Sequence, residues 1–273
     1  MMRRTHPALS AWAWLVYGFL YLPILVLIIF SFNDSKFGGT WAGFTTKWYG
    51  VLLAREDVRE ALTNTLLVAL SSTLISTVLG TLVGLGLWRY STRFRLPLTF
   101  LLVTPIVIPD VVMGVSLLMF YSLVRGGLEL TGWTFENGFW TVMFAHVTFQ
   151  ISYVALTVRS RLAGYDRSLE EAARDLGASS VQSFLRVILP LALPGVLAGA
   201  LLAFTLSLDD FVVTYFTSGS GFRTLPVLIY TSVKKGVTPD INALSTLLVL
   251  VTVVAIIAAN AIMRPRPGRR GEA

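Results

Sequence analysis

Apolar residues in this chain fall into long blocks, not into a thin repeating stripe. Six blocks are long enough to cross a bilayer, which takes about 20 residues of helix. They are Trp12–Phe32, Ala61–Trp88, Leu96–Val124, Asn137–Val158, Val187–Leu208 and Ile241–Met263. Strict apolar–polar alternation and short turns, the signature of a barrel, are missing. The pattern therefore predicts an all-α integral membrane protein with six transmembrane helices. Ionisable interruptions are few: Asp110 in the third block, His146 in the fourth, and Asp209 with Asp210 just after the fifth.

One stretch breaks this pattern. Between the fourth and fifth blocks, residues 166–190 read SLEEAARDLGASSVQSFLRVILP from Ser168 onward, with Asp166, Glu170, Glu171 and Asp175 alternating with Arg167, Arg174 and Arg186. Ser168 with Glu171 three residues on has the form of a capping box. Leu169, Ala172, Ala173 and Leu176 follow at helical spacing. Gly177 stands where a helix takes a left-handed residue, and Ser179 with Gln182 repeats the box. The stretch predicts a short helix, a glycine turn, and a second helix running towards Pro190. The first helix has two alanines at the centre of its face and Glu171 and Arg174 on its rim. That is a weak membrane anchor but a surface another backbone can approach, so docking into a partner's groove is the better reading.

Composition sharpens the class. The chain has 273 residues, 55% of them hydrophobic and only 14% charged, with a mean hydropathy of +0.71. A soluble domain carries nearly twice that charged fraction. The net charge of +7 does not indicate nucleic acid, because the arginines sit at the ends of apolar blocks. Segments holding Arg3 and Arg4, Arg89 to Arg95, Arg159 to Arg186 and Arg264 to Arg270 carry fourteen of the twenty-two basic residues. The positive-inside rule makes these cytoplasmic, with both termini inside. The charged stretch is then cytoplasmic too. Arg3-Arg4 precedes a run too long, and too poor in small residues at its end, for a cleaved export signal, so an uncleaved first helix is expected. The segment Trp41–Tyr49 reads as an interfacial aromatic piece outside the membrane. There is no cysteine, and with His6 as the only other histidine no metal site is expected.

An ionisable side chain within a span is costly and is a functional candidate by default. If the fifth helix continues past Asp210, then Ala203, Ser207, Asp210, Thr214 and Thr217 share a small, polar face. Asp209 would share Leu202, Leu206, Val213 and Phe216, more like a packing surface. This places Asp210 first on a cation pathway and Asp209 second, with Phe204, Phe211 and Tyr215 offering aromatic faces to an alkylammonium. The alternative is that both carboxylates simply end the helix at the outer interface. Asp110 follows Pro109 and lies five past Pro105, where freed carbonyls must face protein or water. A broken helix bearing a carboxylate suits a cation site, though a carboxylate bonded to its own kink would look the same. Gly80 and Gly84 form a G-x-x-x-G suited to close helix packing. His146 reads as a hydrogen-bonded residue of the bundle.

The run EAARDLGASSVQSFLRVILP resembles the cytoplasmic EAA loop of bacterial binding-protein-dependent ABC importer permeases. The pattern is met by Glu171, Ala172, Ala173, Gly177, Val187 (where isoleucine is usual), Leu189 and Pro190. The resemblance implies type I importer architecture, a five-span core with an added first helix. It implies that Glu171, Ala172, Ala173, Arg174 and Gly177 couple to an ATPase subunit dimer. It further implies a homologous second permease and an extracytoplasmic binding protein as partners, in a bacterial inner membrane. Stretches such as WAGFTTKWYGVLL and LAFTLSLDDFVVTYF resemble the polyamine branch, and TLPVLIYTSVKKGV is closer to the putrescine type. Spermidine or another cationic solute is the alternative. The expected organisation is residues 1–58 as first helix and external loop, 59–263 as permease domain with the EAA loop at 166–190, and 264–273 as a basic cytoplasmic tail.

No G-x-x-x-x-G-K-[ST] occurs, so the chain has no phosphate-cradling loop of its own. The expectation is a transport subunit without cofactors, ATP and magnesium being bound by the partner. Two other classes fit less well. An intramembrane serine protease needs a G-x-S-G that Gly114-Val115-Ser116-Leu117 does not complete, and a secondary transporter has no use for the loop.

Overall fold

A computed structural model of the protein describes residues 7–35, 40–90, 93–132, 134–166 and 168–263. Arg3, Arg4, Arg167 and the basic tail 264–273 lie outside them. The order is α1 (Pro7–Phe30), α2 (Lys47–Ala54), α3 (Glu56–Arg89), α4 (Arg95–Val107), α5 (Asp110–Glu129), α6 (Phe139–Leu162), α7 (Ser168–Asp175) and α8 (Ser180–Ser183). A π turn (Phe184–Ile188) joins α8 to α9 (Leu189–Asp209), followed by α10 (Val212–Thr217), α11 (Leu225–Lys234) and α12 (Pro239–Met263). Among the described residues the one extended pairing is a single bridge, Asn33 to Phe44.

Among the described residues, five helical stretches are long and apolar enough to cross a membrane: Leu9–Phe30, Glu56–Arg89, Asp110–Glu129, Phe139–Leu162 and Ser180–Asp209. Shorter apolar stretches cover Arg95–Val107, Leu225–Lys234 and Pro239–Val254. The third block is thus two helices, the broken span suggested by Pro105 and Pro109. It breaks at Ile108-Pro109, where both residues are extended (ψ 134° and 136°). Proline at 109 cannot donate to the helix before it and disfavours helical geometry at 108.

The chain forms two compact units. One comprises residues up to Arg59 together with those from Ile229 on. Here α12 packs against α1 and α2, and Arg55 bridges Asp57 and Asp240. Asn33 is fully buried, its amide nitrogen donating to the Thr40 carbonyl at 2.8 Å and its oxygen accepting from the Ala42 N–H at 2.8 Å. These bonds tie the end of α1 to the loop before α2 by satisfying groups that lipid could not. The aromatic segment 41–49 folds here, with the Trp48 indole donating to the Asn33 carbonyl.

The other unit, Glu60–Leu228, is built on α6. Two-thirds of its most apolar window is buried, against about a quarter for α3 and for the Ser180–Asp209 run. Both neighbours reach α6 through glycine. A Cβ on Gly80 would lie 2.7 Å from that of Val154, and one on Gly84 would lie 2.6 Å from the Ala155 carbonyl oxygen. From α9, Gly199 packs against the same Val154 and Gly195 against Arg161. The G-x-x-x-G is therefore a packing seam, and α9 supplies a second seam not singled out in the sequence. Such close backbone approach replaces the hydrophobic drive that lipid removes.

Candidate functional site

The break between α4 and α5 and a second break between α9 and α10 face one another across a cavity of about 310 Å³. Asp110, Asp209 and Asp210 all line it, with Met113, Phe149, Tyr153 and Phe211. Asp110 is exposed at the first turn of α5, where the helix dipole favours an anion. The structure thus brings together the three carboxylates that the sequence placed in two separate blocks.

The fifth helix does not continue past Asp209. Asp210 is extended (φ −63°, ψ 121°), and α10 starts again at Val212. This break changes the two predicted faces. Ala203, Ser207, Thr214 and Thr217 are buried, so the small polar face points into the bundle instead of along an open path. Asp209, expected on a packing surface, is exposed at the cavity beside Leu206. Of the aromatic candidates, Phe211 lines the cavity, its ring centre 5.4 Å from that of Tyr215 and tilted by 40° to it, while Phe204 is not among the lining residues.

The Asp210 side chain is only 10% exposed. Its Oδ2 accepts from the Thr214 hydroxyl at 2.7 Å and the Thr214 N–H at 2.8 Å, so it caps α10. His146 is fully buried, with Nε2 2.9 Å from the Thr214 hydroxyl and Nδ1 2.7 Å from Ser207. His146 Nε2 also lies 3.3 Å from Asp210 Oδ2, so the ring meets that carboxylate directly as well as through Thr214. The chain extends further. Ser207 lies 3.4 Å from Ser72, Ser72 accepts from Gln150 at 3.1 Å, and Gln150 accepts from Ser76 at 2.9 Å. These contacts link polar side chains of α3, α6 and α9 to one carboxylate. His146 is the bundle residue expected of it. Gln150, one turn further along α6, was a visible signal that the sequence reading passed over. Phe149 and Tyr153 were hidden among ordinary span aromatics.

The loop at 166–190 folds as helix, turn and helix. Gly177 has φ +86°, with the Ala178 N–H on the Ala173 carbonyl at 3.0 Å and the Gly177 N–H on that of Arg174 at 2.8 Å. This is a Schellman turn, which a residue with a Cβ would strain. The second box is made, Ser179 and Gln182 exchanging bonds of 3.0 and 3.3 Å. The first is not. Ser168 is already helical, and its N–H goes to the Asp166 carboxylate at 3.0 Å, an ionised acceptor stronger than a hydroxyl. That bond holds the Asp166 carboxyl below its ordinary range. No residue of α7 is buried, and Glu171, Ala172 and Gly177 are exposed. Arg174 pairs with Glu170 at 2.7 Å, not with Glu171. Arg89 at the end of α3 binds both oxygens of Glu170, at 2.8 and 3.1 Å, and holds that carboxyl below its usual range.

Carboxylates gathered where two spans break, within a bundle of helices long enough to cross a membrane, are features of a membrane permease. The chain belongs to the family of binding-protein-dependent transport system inner membrane components, which matches residues 76–264. It is 42% identical to the spermidine/putrescine transport system permease protein PotC of Escherichia coli (strain K12), over 92% of each chain. It is 44% identical to the putrescine transport system permease protein PotI of the same organism, over 89% of this chain and 86% of that one. These values do not separate the two types. The fold is shared with a bacterial alginate ABC transporter in complex with a pentasaccharide-bound periplasmic protein (TM-score 0.72, 17% identity, covering 94% and 93% of the chains). It is also shared with the MetNI methionine ABC transporter (TM-score 0.60, 22% identity, 77% and 98%). The protein is a multi-pass inner-membrane permease component and is not itself an ATPase.

Proposed function

We propose that this permease carries a polyamine cation across the inner membrane as one half of a translocation path completed by a second permease. A binding protein delivers the cation from outside, and an ATPase dimer docks on α7 inside. Six crossings with both termini cytoplasmic, α4 and α5 together making the third, fit the distribution of arginines. The observation that carries the reading is the cavity with Asp110, Asp209 and Asp210 on its wall and Phe211, Phe149 and Tyr153 beside them. Each ammonium of a diamine must shed hydration on entering the span region. A carboxylate lowers that cost, and a few acids with aromatic faces bind weakly enough to release. The bonds around the two neighbouring acids favour Asp209 and Asp110 as the groups that meet the cation. Asp210 supplies fixed charge from a position it cannot leave.

The test is uptake of radiolabelled putrescine, spermidine and a neutral sugar into proteoliposomes containing the full complex. Saturable uptake of a polyamine, competed by the other polyamine and not by sugar, is the expected result. Preferential sugar or anion uptake would remove the cation reading. The relation between putrescine and spermidine rates assigns the substrate within the class.

A further inference from the structure

We infer that Glu170 is a positioning residue that clamps the docking helix to the end of α3, so that movement of α7 also reaches a span to which it has no covalent link. The inference rests on the reading of α7 as the element that meets the ATPase. Covalently, α7 is joined to the end of α6 by residues 163–167 and, through the Gly177 turn, to the Ser180–Asp209 run, but it has no chain link to α3. It buries no side chain of its own. A helix held only by its two ends can roll about its own axis, and a push on it is spent on that roll. Glu170 removes this freedom. Its side chain is 13% exposed, the most shielded charge on α7 for which an ion pair is seen, and it takes three guanidinium N–H bonds.

Two features separate this contact from an ordinary surface pair, which contributes little. First, Arg89 engages both carboxylate oxygens, and a planar fork on a planar carboxylate fixes orientation as well as distance. Second, Arg174 approaches from the next turn of α7 itself and holds the carboxylate in the rotamer that faces Arg89. The Gly177 turn and the clamp thus tie α7 to α9 and to α3, the two helices whose glycine seams meet α6 at Val154. Through those seams both spans adjoin the central helix, and the α9 end carries Asp209 to the cavity. A displacement of α7 is delivered to α6 through both neighbouring spans.

The experiment uses the full complex in proteoliposomes, with ATP hydrolysis and putrescine uptake measured on the same vesicles. Glu170→Gln and Arg89→Gln should each retain the ATPase and keep hydrolysis within about twofold of wild type. Uptake per ATP should fall about tenfold, the scale of one lost charge-assisted pair. The double variant should be no worse than either single one. Because the chain has no cysteine, Arg89→Cys with Glu170→Cys provides a positive test. Unbridged, it should be uncoupled; joined by a short flexible bis-maleimide, it should recover most of its uptake per ATP. Unchanged uptake per ATP in Glu170→Gln, additive losses in the double variant, or no recovery on bridging would each overturn the clamp. Failure of the wild-type complex to retain the ATPase would instead strike the docking reading on which it rests.

Discussion

Asp209 and Asp210 are neighbours in sequence with different surroundings. Asp209 is exposed on the cavity wall, whereas Asp210 is tied to the Thr214 hydroxyl, to the amide at the start of α10, and through Thr214 to His146. Neutralising them should therefore do different things. Asp209→Asn is expected to lower polyamine uptake about ten- to hundredfold, the effect of about 1–3 kcal/mol lost near a desolvated ammonium. The amount of complex recovered in detergent should be unchanged. Asp210→Asn removes an ionised acceptor from a buried chain and should lower the melting temperature and yield of the complex as well as uptake. His146→Phe keeps the ring but leaves Ser207 and Thr214 without their shared partner. It should destabilise by about 1–3 kcal/mol, read as a lower melting temperature, with an effect close to that of Asp210→Asn and not additive to it. Equal melting temperatures for all three variants and wild type would separate the hydrogen-bond chain from the stability of the break.

At the level of elements, much of the helical framework was legible in the blocks of apolar residues. The seam at Gly80 and Gly84 and the glycine turn at 177 could be read because each depends on spacing within one helix. What was not legible depended on residues far apart in the chain. Arg89 and Glu170 are 81 positions apart, and Ser72 and Ser207 are 135 apart; no local periodicity records such pairs. The break at Asp210 stood only as the alternative in which the helix ends at its two carboxylates. A helix with no proline there gives no local stop signal, and His146 of α6, which bonds to Thr214, lies 68 positions away. The seam itself can be tested by contrast within one helix. A Cβ at Gly84 meets the Ala155 carbonyl, whereas at Gly86 it meets nothing within 4 Å. Gly84→Ala should cost about 1–3 kcal/mol by overpacking, and Gly86→Ala should be neutral or slightly stabilising. Thermal unfolding of the two variants in detergent checks this, and equal shifts would mean that α3 and α6 do not depend on that close approach.

For the whole molecule, orientation is the feature on which every assigned role depends. The EAA loop must be cytoplasmic for α7 to meet an ATPase, and the turn after α10 must be outside. Ser179 and Ser220 are both exposed, and in a cysteine-free chain single replacements report cleanly. Ser220→Cys in intact cells should react with an impermeant thiol reagent, and Ser179→Cys should react only after the cells are opened. Labelling of position 179 in sealed cells would reverse the topology and remove the coupling role with it.

The π turn at Phe184–Ile188 also sets an angle. Each residue advances a helix by about 100°, and a π turn holds one residue more than the regular spiral. Everything before it, including α8 and α7, is therefore turned by roughly that angle about the axis of α9, relative to an unbroken α-helix. The bearing of the docking helix is fixed by a single surplus residue. Deleting Leu185, which is about half exposed, should let the turn close into regular helix. The spans would stay inserted and the cavity intact, but α7 would swing round the axis and Glu170 would lose Arg89. A deletion variant that inserts normally, retains its carboxylate cavity and yet fails to capture the ATPase would show that the compass heading of a short helix was written into the chain as one extra letter.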